Sequence, residues 1–182
     1  MYEAIIFLID GFEEIEAITT LDILRRAEVS AVSVSLTGRR DITGAHGIIV
    51  QADLLFDELH STKNTMLILP GGGPGTAALH KHEILHELLR LHHHDGEKIA
   101  AICAAPTILG ELGILSDKTA VCYPSVKDNL KAARHGETST ITDGNITTSK
   151  SAGTTPDFAL ELVRIIKGDQ EAAKVAEGML LV

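Results

Sequence analysis

The sequence predicts an α/β domain with a mainly parallel central sheet and helices packed on both of its faces. Three observations carry the prediction. Short runs of β-formers alternate with stretches of helical period, as in a chain of βαβ units. Several of those runs are continuously apolar, the pattern of strands buried on two faces. The chain has 182 residues at 45% hydrophobic content, enough for one well-filled core and too few for two. Residues 1–182 are therefore read as a single domain.

Strands are predicted at 4–9 (AIIFLI), 31–36 (AVSVSL), 47–52 (GIIVQA), 65–70 (TMLILP), 98–103 (KIAAIC) and 119–124 (TAVCYP). A helix follows the first strand, because Ile15, Ile18, Leu21 and Leu24 recur at helical spacing. Glu13 and Glu14 stand at its start and Arg25 and Arg26 at its end, the signs the helix dipole favours. A second helix covers HEILHELLRLHHH, with Ile84, Leu85, Leu88 and Leu91 on the buried side. A third covers PDFALELVRIIKG and stops at Gly168. TSTITDGNITTS reads as an inserted hairpin turning at Asp143-Gly144.

Composition excludes several partners. A formal net charge of -9 repels phosphate backbones, and two tyrosines, four phenylalanines and no tryptophan leave little to stack on bases. Nucleic acid is a poor candidate. No apolar stretch approaches the ~20 residues that cross a bilayer, and the start lacks the basic segment of a secretory signal. A cytoplasmic protein without membrane contact is expected. With Cys103 and Cys122 as its two cysteines, the chain cannot build a disulfide framework or a four-thiol zinc site.

In open parallel sheets ligands gather beyond the carboxyl ends of strands, so chemistry is sought there. In AAICAAPT the strand feeds straight into a helical stretch, which places Cys103 on a sharp strand-to-helix turn, a nucleophile elbow without the usual flanking glycines. A helix terminus can lower a thiol from about 8.5 into the range of roughly 3.5 to 7.5. A cysteine at a buried strand end also packs as a small hydrophobe, and this stretch alone leaves both readings open. LPGGGPGTA adds glycines whose exposed N–H groups suit an oxyanion, with Gly71 and Gly72 beside the amide of Ala104. It also matches G-x-G-x-x-A formally, but it follows a late strand and has a proline in the turn. In GFEEIE, Glu13 and Glu14 read as solvated dipole partners. Glu16 falls at the margin of the buried face, where desolvation would keep it protonated and able to shuttle a proton. A surface glutamate explains it equally well.

Together GFEEIE, LPGGGPG, AAICAAPTIL and TSKSAGTTPDFAL resemble the ThiJ/PfpI superfamily, most closely its ThiJ branch, over essentially the whole chain. The resemblance implies a flavodoxin-like three-layer sandwich, a homodimer, Cys103 as the reactive elbow cysteine and Glu16 as its protonated partner. It also implies Gly72 and Ala104 as oxyanion amides with Gly71 shaping the loop. Two positions depart from the pattern. Tyr123, kept here among the catalytic candidates, stands where several relatives carry histidine, and Ser151-Ala152-Gly153-Thr154 replaces Gly-Pro-Gly-Thr. Ala104 also departs from the peptidase-like branch, which has histidine there, and argues against proteolysis.

The function expected on this basis is a cysteine-dependent enzyme of reactive carbonyls or glycated adducts, glyoxalase- or deglycase-like, with no metal and no cofactor. The competing expectation is an oxidative-stress sensor or redox-regulated chaperone working through oxidation of Cys103. A thiazole-related role is a weaker third. Among nine histidines, His82, His86 and His93 share a helix side opposite the leucines and read as a solvated face, while His46 and His135 lie in loops near the pocket and are not assigned. Cys122 reads as packing.

Overall fold

The computed structural model describes residues 2–132 and 134–181. Its first half contains β1 (Ala4–Leu8), α1 (Glu14–Arg26), β2 (Ala31–Ser35), β3 (Asp41–Thr43), β4 (Ile49–Gln51), β5 (Leu54–Leu55), β6 (Met66–Leu69), α2 (Gly73–Leu79) and α3 (Glu83–His94). The second half contains β7 (Ile99–Ile102), α4 (Pro106–Glu111), β8 (Thr119–Ala120), β9 (Arg134–His135), β10 (Thr140–Asp143), β11 (Ile146–Ser149), α5 (Thr155–Lys167) and α6 (Asp169–Gly178).

The central sheet runs β10-β11-β7-β6-β1-β2-β5. Its pairings are parallel except β10 with β11. Alternation along β1 sends Ala4, Ile6 and Leu8 into one core and Ile5 and Phe7 into the other. The first core is closed by α1, α5 and α6 through Leu24, Phe158, Leu162 and Val175. The second is closed by α2, α3 and α4 through Leu79, Leu89, Ile108 and Leu109. The result is the expected three-layer α/β sandwich.

Strand order places the chemistry. From β1 the chain goes outward to β2 and β5, then returns to β6 on the opposite side of β1. Such a reversal opens a crevice beyond the strands' carboxyl ends. The segments leaving β1, β6 and β7, three neighbours in the sheet, carry Glu16, Gly71-Gly72 and Cys103.

The elements differ from the sequence reading in instructive ways. On α1 the buried face holds Glu14, Glu16, Ala17, Thr20, Ile23 and Leu24, while Ile15 and Ile18 are 55% and 43% exposed. The rotation is fixed by two carboxylates that find hydrogen-bond donors inside, Glu16 at Gly71 and Glu14 at His46. On α3 the inward row is Leu85, Leu89 and His92, and Ile84 and Leu91 face outward. His92 escapes an apolar pattern search because it is a ring whose Nε2 donates to the Thr65 carbonyl at 2.7 Å. Residues 47–52 form no strand of the central sheet: β4 pairs with β3 in a separate antiparallel ribbon. In 119–124 the strand is limited to β8, paired with β9, and the Val121 amide turns to the Thr148 hydroxyl. The hairpin holds, with Asp143 opposite Ile146, Gly144-Asn145 as the turn and Gly144 at φ +64°. Its second strand, β11, joins the central sheet beside β7. The helices α2 and α6 were not expected from the sequence.

Candidate active site

Cys103 follows β7 directly and takes φ +65°, a left-handed conformation that costs an L-residue roughly 1–2 kcal/mol. Its surroundings hold it there. The Cys103 N–H donates to the Ser149 carbonyl at 3.0 Å, extending the β7–β11 ladder by one residue, and its carbonyl accepts the Tyr123 N–H at 2.7 Å. Three residues further on, Pro106 opens α4 without needing an amide partner. This is the elbow that the sequence anticipated, and it leaves Cys103 half-buried.

Two glycines bring the loop after β6 against that elbow. A Cβ on Gly71 would lie 2.7 Å from Cys103 Cβ and 2.8 Å from Glu16 Oε2, so no side chain fits. Gly72, at φ +95°, would collide with the Gly11 carbonyl and the Glu13 amide if it carried one. The Gly71 N–H donates to Glu16 Oε2 at 2.8 Å and is therefore engaged by the carboxylate. The backbone N–H groups facing the sulfur are those of Gly72 and Ala104.

Glu16 is 1% exposed, and its Oε1 has no conventional hydrogen-bond partner among the described residues. Burial raises its carboxyl to about 7, against the opposing pull of the Gly71 amide and the Cys103 thiol. The thiol is pushed up as well, to about 12, by burial first and then by the Glu16 charge, with the Gly72 and Ala104 amides pulling the other way. The expectation of a thiolate set by a helix terminus is thus corrected. The helix is six residues long and begins beyond Ala105, and desolvation outweighs it. The thiol is raised further than the carboxyl, so it keeps its proton when Glu16 ionises, and the Gly72 and Ala104 amides are the groups that favour charge on sulfur against its burial.

A profile of the DJ-1/PfpI family matches residues 2–165. The chain belongs to the DJ-1/PfpI family. It is 33% identical over 180 residues to the protein dj-1beta of Drosophila melanogaster, covering 98% of this chain and 96% of that one. A structure of Toxoplasma gondii DJ-1 described as oxidized superposes with a TM-score of 0.94 at 30% identity, covering 99% of this chain and 98% of the other. The glutathione-independent glyoxalase DJR-1.2 of Caenorhabditis elegans is 28% identical over 171 residues, 93% of this chain and 90% of that protein. The DJ-1/PfpI fold is therefore shared along nearly the whole length.

Other candidates in this DJ-1/PfpI chain fall at varied distances from the elbow. Tyr123 is tied to Cys103 through its backbone, while its side chain is 44% exposed. Cys122 is buried, its Sγ is 3.4 Å from the Tyr123 carbonyl, and burial raises its thiol to about 11. It lines a cavity of about 190 Å³ with Lys127, His135 and Lys150. The α3 histidines are not one solvated face. His82 accepts the Leu85 amide as a helix cap, and His86 Nε2 donates to the Leu79 carbonyl. Glu14 is 4% exposed, not solvated, and holds the 44–48 turn through the His46 amide at 2.7 Å and its ring Nδ1 at 2.8 Å. No periodicity reveals that last contact, because its partner lies 32 residues away.

No described helix is long and apolar enough to cross a membrane.

Proposed function

We propose that the chain is a cofactor-free enzyme of small reactive carbonyls, of glyoxalase type, with Cys103 as nucleophile and Glu16 as proton carrier. What supports the reading most is one contact set: a buried carboxyl, raised by desolvation, against an elbow thiol whose sulfur faces two backbone amides. A relative of similar length that is named a glutathione-independent glyoxalase supports it further.

With methylglyoxal, the Glu16 carboxylate takes the thiol proton as sulfur adds to the aldehyde carbon. The carbonyl π pair moves to oxygen, where the Gly72 and Ala104 amides hold it and Glu16 delivers a proton. The Glu16 carboxylate then removes the proton on that carbon, and the electrons pass through an enediol. Glu16 returns that proton to the neighbouring carbon while the hydroxyl proton moves to the neighbouring oxygen, which leaves a lactoyl thioester on Cys103. Water hydrolyses the thioester, releasing lactate and the thiol, so one methylglyoxal and one water give one lactic acid. Glycated adducts that expose the same carbonyl chemistry are a second substrate class. Tyr123, in place of a histidine, has no step here. The test is lactate formed from methylglyoxal under reducing conditions: the wild type should produce it and Cys103→Ala should not.

A second reading has its own support. The Toxoplasma relative was solved in a state described as oxidized, and the Glu16 carboxyl and two amides suit a sulfinate on Cys103. A wild type that makes no lactate yet gains oxygen selectively at Cys103 would establish this sensor role, with or without chaperone activity, in place of the enzyme.

We further propose a homodimer. Ile15 and Ile18 are exposed on one side of α1, and Ile48 and Ile49 are 53% and 67% exposed on the ribbon whose turn is bonded to Glu14. Apolar side chains grouped in this way suit a second copy.

A further inference from the structure

We propose that His80 is a positioning residue that clamps together the two backbone turns supplying the Gly72 and Ala104 amides. The proposal rests on the reading of the Cys103 site given above, and nothing in that reading uses His80.

The two amides belong to different segments. Gly72 is the N-terminal cap of α2, and His80 is the cap at the other end of the same helix. Ala104 opens the turn into α4, which carries Thr107 and Glu111 on successive turns. His80 bridges from one helix to the other. Its Nδ1 lies 2.6 Å from Glu111 Oε2 and its Nε2 lies 3.1 Å from Thr107 Oγ1. Thr107 donates its single hydroxyl proton to the Ala104 carbonyl at 2.7 Å, so it offers the ring a lone pair. The same carbonyl accepts the Thr107 N–H at 3.1 Å. A chain of hydrogen bonds thus runs from Glu111, which is largely exposed, through His80 and the 5%-exposed Thr107 to the residue whose own amide faces the thiol.

Two facts give the chain a purpose. The helix α2 has seven residues and α4 has six, too few for either to hold its direction by its own ladder. Two donors that share one oxyanion must nevertheless keep their spacing closely, since a displacement of about 1 Å can cost roughly 10²-fold in rate. A cross-link from the far end of α2 to the first turn of α4 sets that spacing without touching the substrate. The tie also holds the Ala104 carbonyl through two Thr107 donors.

The experiment compares His80→Ala, Thr107→Val, Thr107→Ser and Glu111→Gln with the wild type. Two quantities are read: the alkylation rate of Cys103 against pH, and kcat and KM for methylglyoxal. In His80→Ala and Thr107→Val the thiol should titrate at higher pH. There kcat should fall roughly 10-fold with KM little changed, short of the 10²- to 10³-fold loss of a whole oxyanion donor. Thr107→Ser, which keeps the hydroxyl, should restore both, and Glu111→Gln, which keeps an acceptor for the ring, should lie between. An unshifted Cys103 titration in both His80→Ala and Thr107→Val overturns the clamp. If the wild type makes no lactate, the proposed reaction fails and the thiol titration alone still decides the clamp. If His80→Ala does not fold, the Val and Ser variants of Thr107 decide it.

Discussion

Glu16 accepts the amide of Gly71 at 2.8 Å from a position where the side chain is almost wholly sealed from water. Burial raises this carboxyl from 4.5 to about 7. Between those values an unfolded chain has released a proton that the folded chain keeps. The contribution of Glu16 to stability is therefore complete below about 4.5, is lost as pH rises to about 7, and is constant beyond. The gap corresponds to something on the order of 3 kcal/mol. Glu16→Gln has nothing to titrate, so urea unfolding should show its stability gaining on the wild type by that order between pH 5 and pH 8. A difference that does not change with pH would return the carboxyl to its ordinary range.

The same variant separates proton transfer from thiol chemistry. Glutamine can still accept the Gly71 amide and lie against the sulfur, but it carries no transferable proton. Alkylation of Cys103 should persist while lactate formation falls by roughly 10²- to 10⁴-fold. Unchanged turnover would remove Glu16 from the reaction.

Gly71→Ala tests the closeness of the loop and the elbow. The added Cβ, 2.7 Å from Cys103 Cβ, forces either the loop or the elbow to move. A loss of about 1–3 kcal/mol in stability is expected, together with a slower Cys103 reaction. A variant with the wild-type melting temperature would show that the loop has room.

Oxidation should fall on Cys103 before Cys122. Both thiols are raised by burial, but Cys103 is the more accessible and has two amides facing its sulfur, whereas Cys122 is 6% exposed. Mass spectrometry of peptides after mild peroxide reads the order directly. Oxygen on Cys122 first, or on both alike, would contradict it.

Light scattering tests the dimer. The wild type should have the mass of two chains, and Ile18→Glu combined with Ile48→Glu should reduce it to one without lowering helix content by circular dichroism. A wild type with the mass of one chain at every concentration would remove the second copy.

The parts of this protein that were legible in the sequence are those governed by local rules. Continuous apolar runs marked β1, β6 and β7, β-branched alternation marked β2, and the passage from Ile102 through Cys103 to Pro106 marked an elbow because strand, turn and helix follow in a few residues. The glycines at 71 and 72 were legible for the same reason. What local rules could not supply was rotation. Whether Glu16 or Ile15 of α1 turns inward depends on amides held by loops tens of residues away, and of the apolar row only Leu21 and Leu24 meet the core while Ile15 and Ile18 do not. The proton balance was hidden likewise, since the cost of burying Cys103 and Glu16 together exists only once both are in place. His80 looked like one of many histidines until α2 and α4 were laid side by side.

The direction of the strands also has a practical consequence. Glu16, Gly72 and Cys103 all leave the same rim of the sheet, and the Gly144-Asn145 turn, at the amino end of β11, lies at the opposite rim. A tether, a fluorescent label or an immobilising tag introduced there stands a full strand length from the chemistry. Fixed to a surface by that turn, the molecule would present its reactive thiol outward to solution.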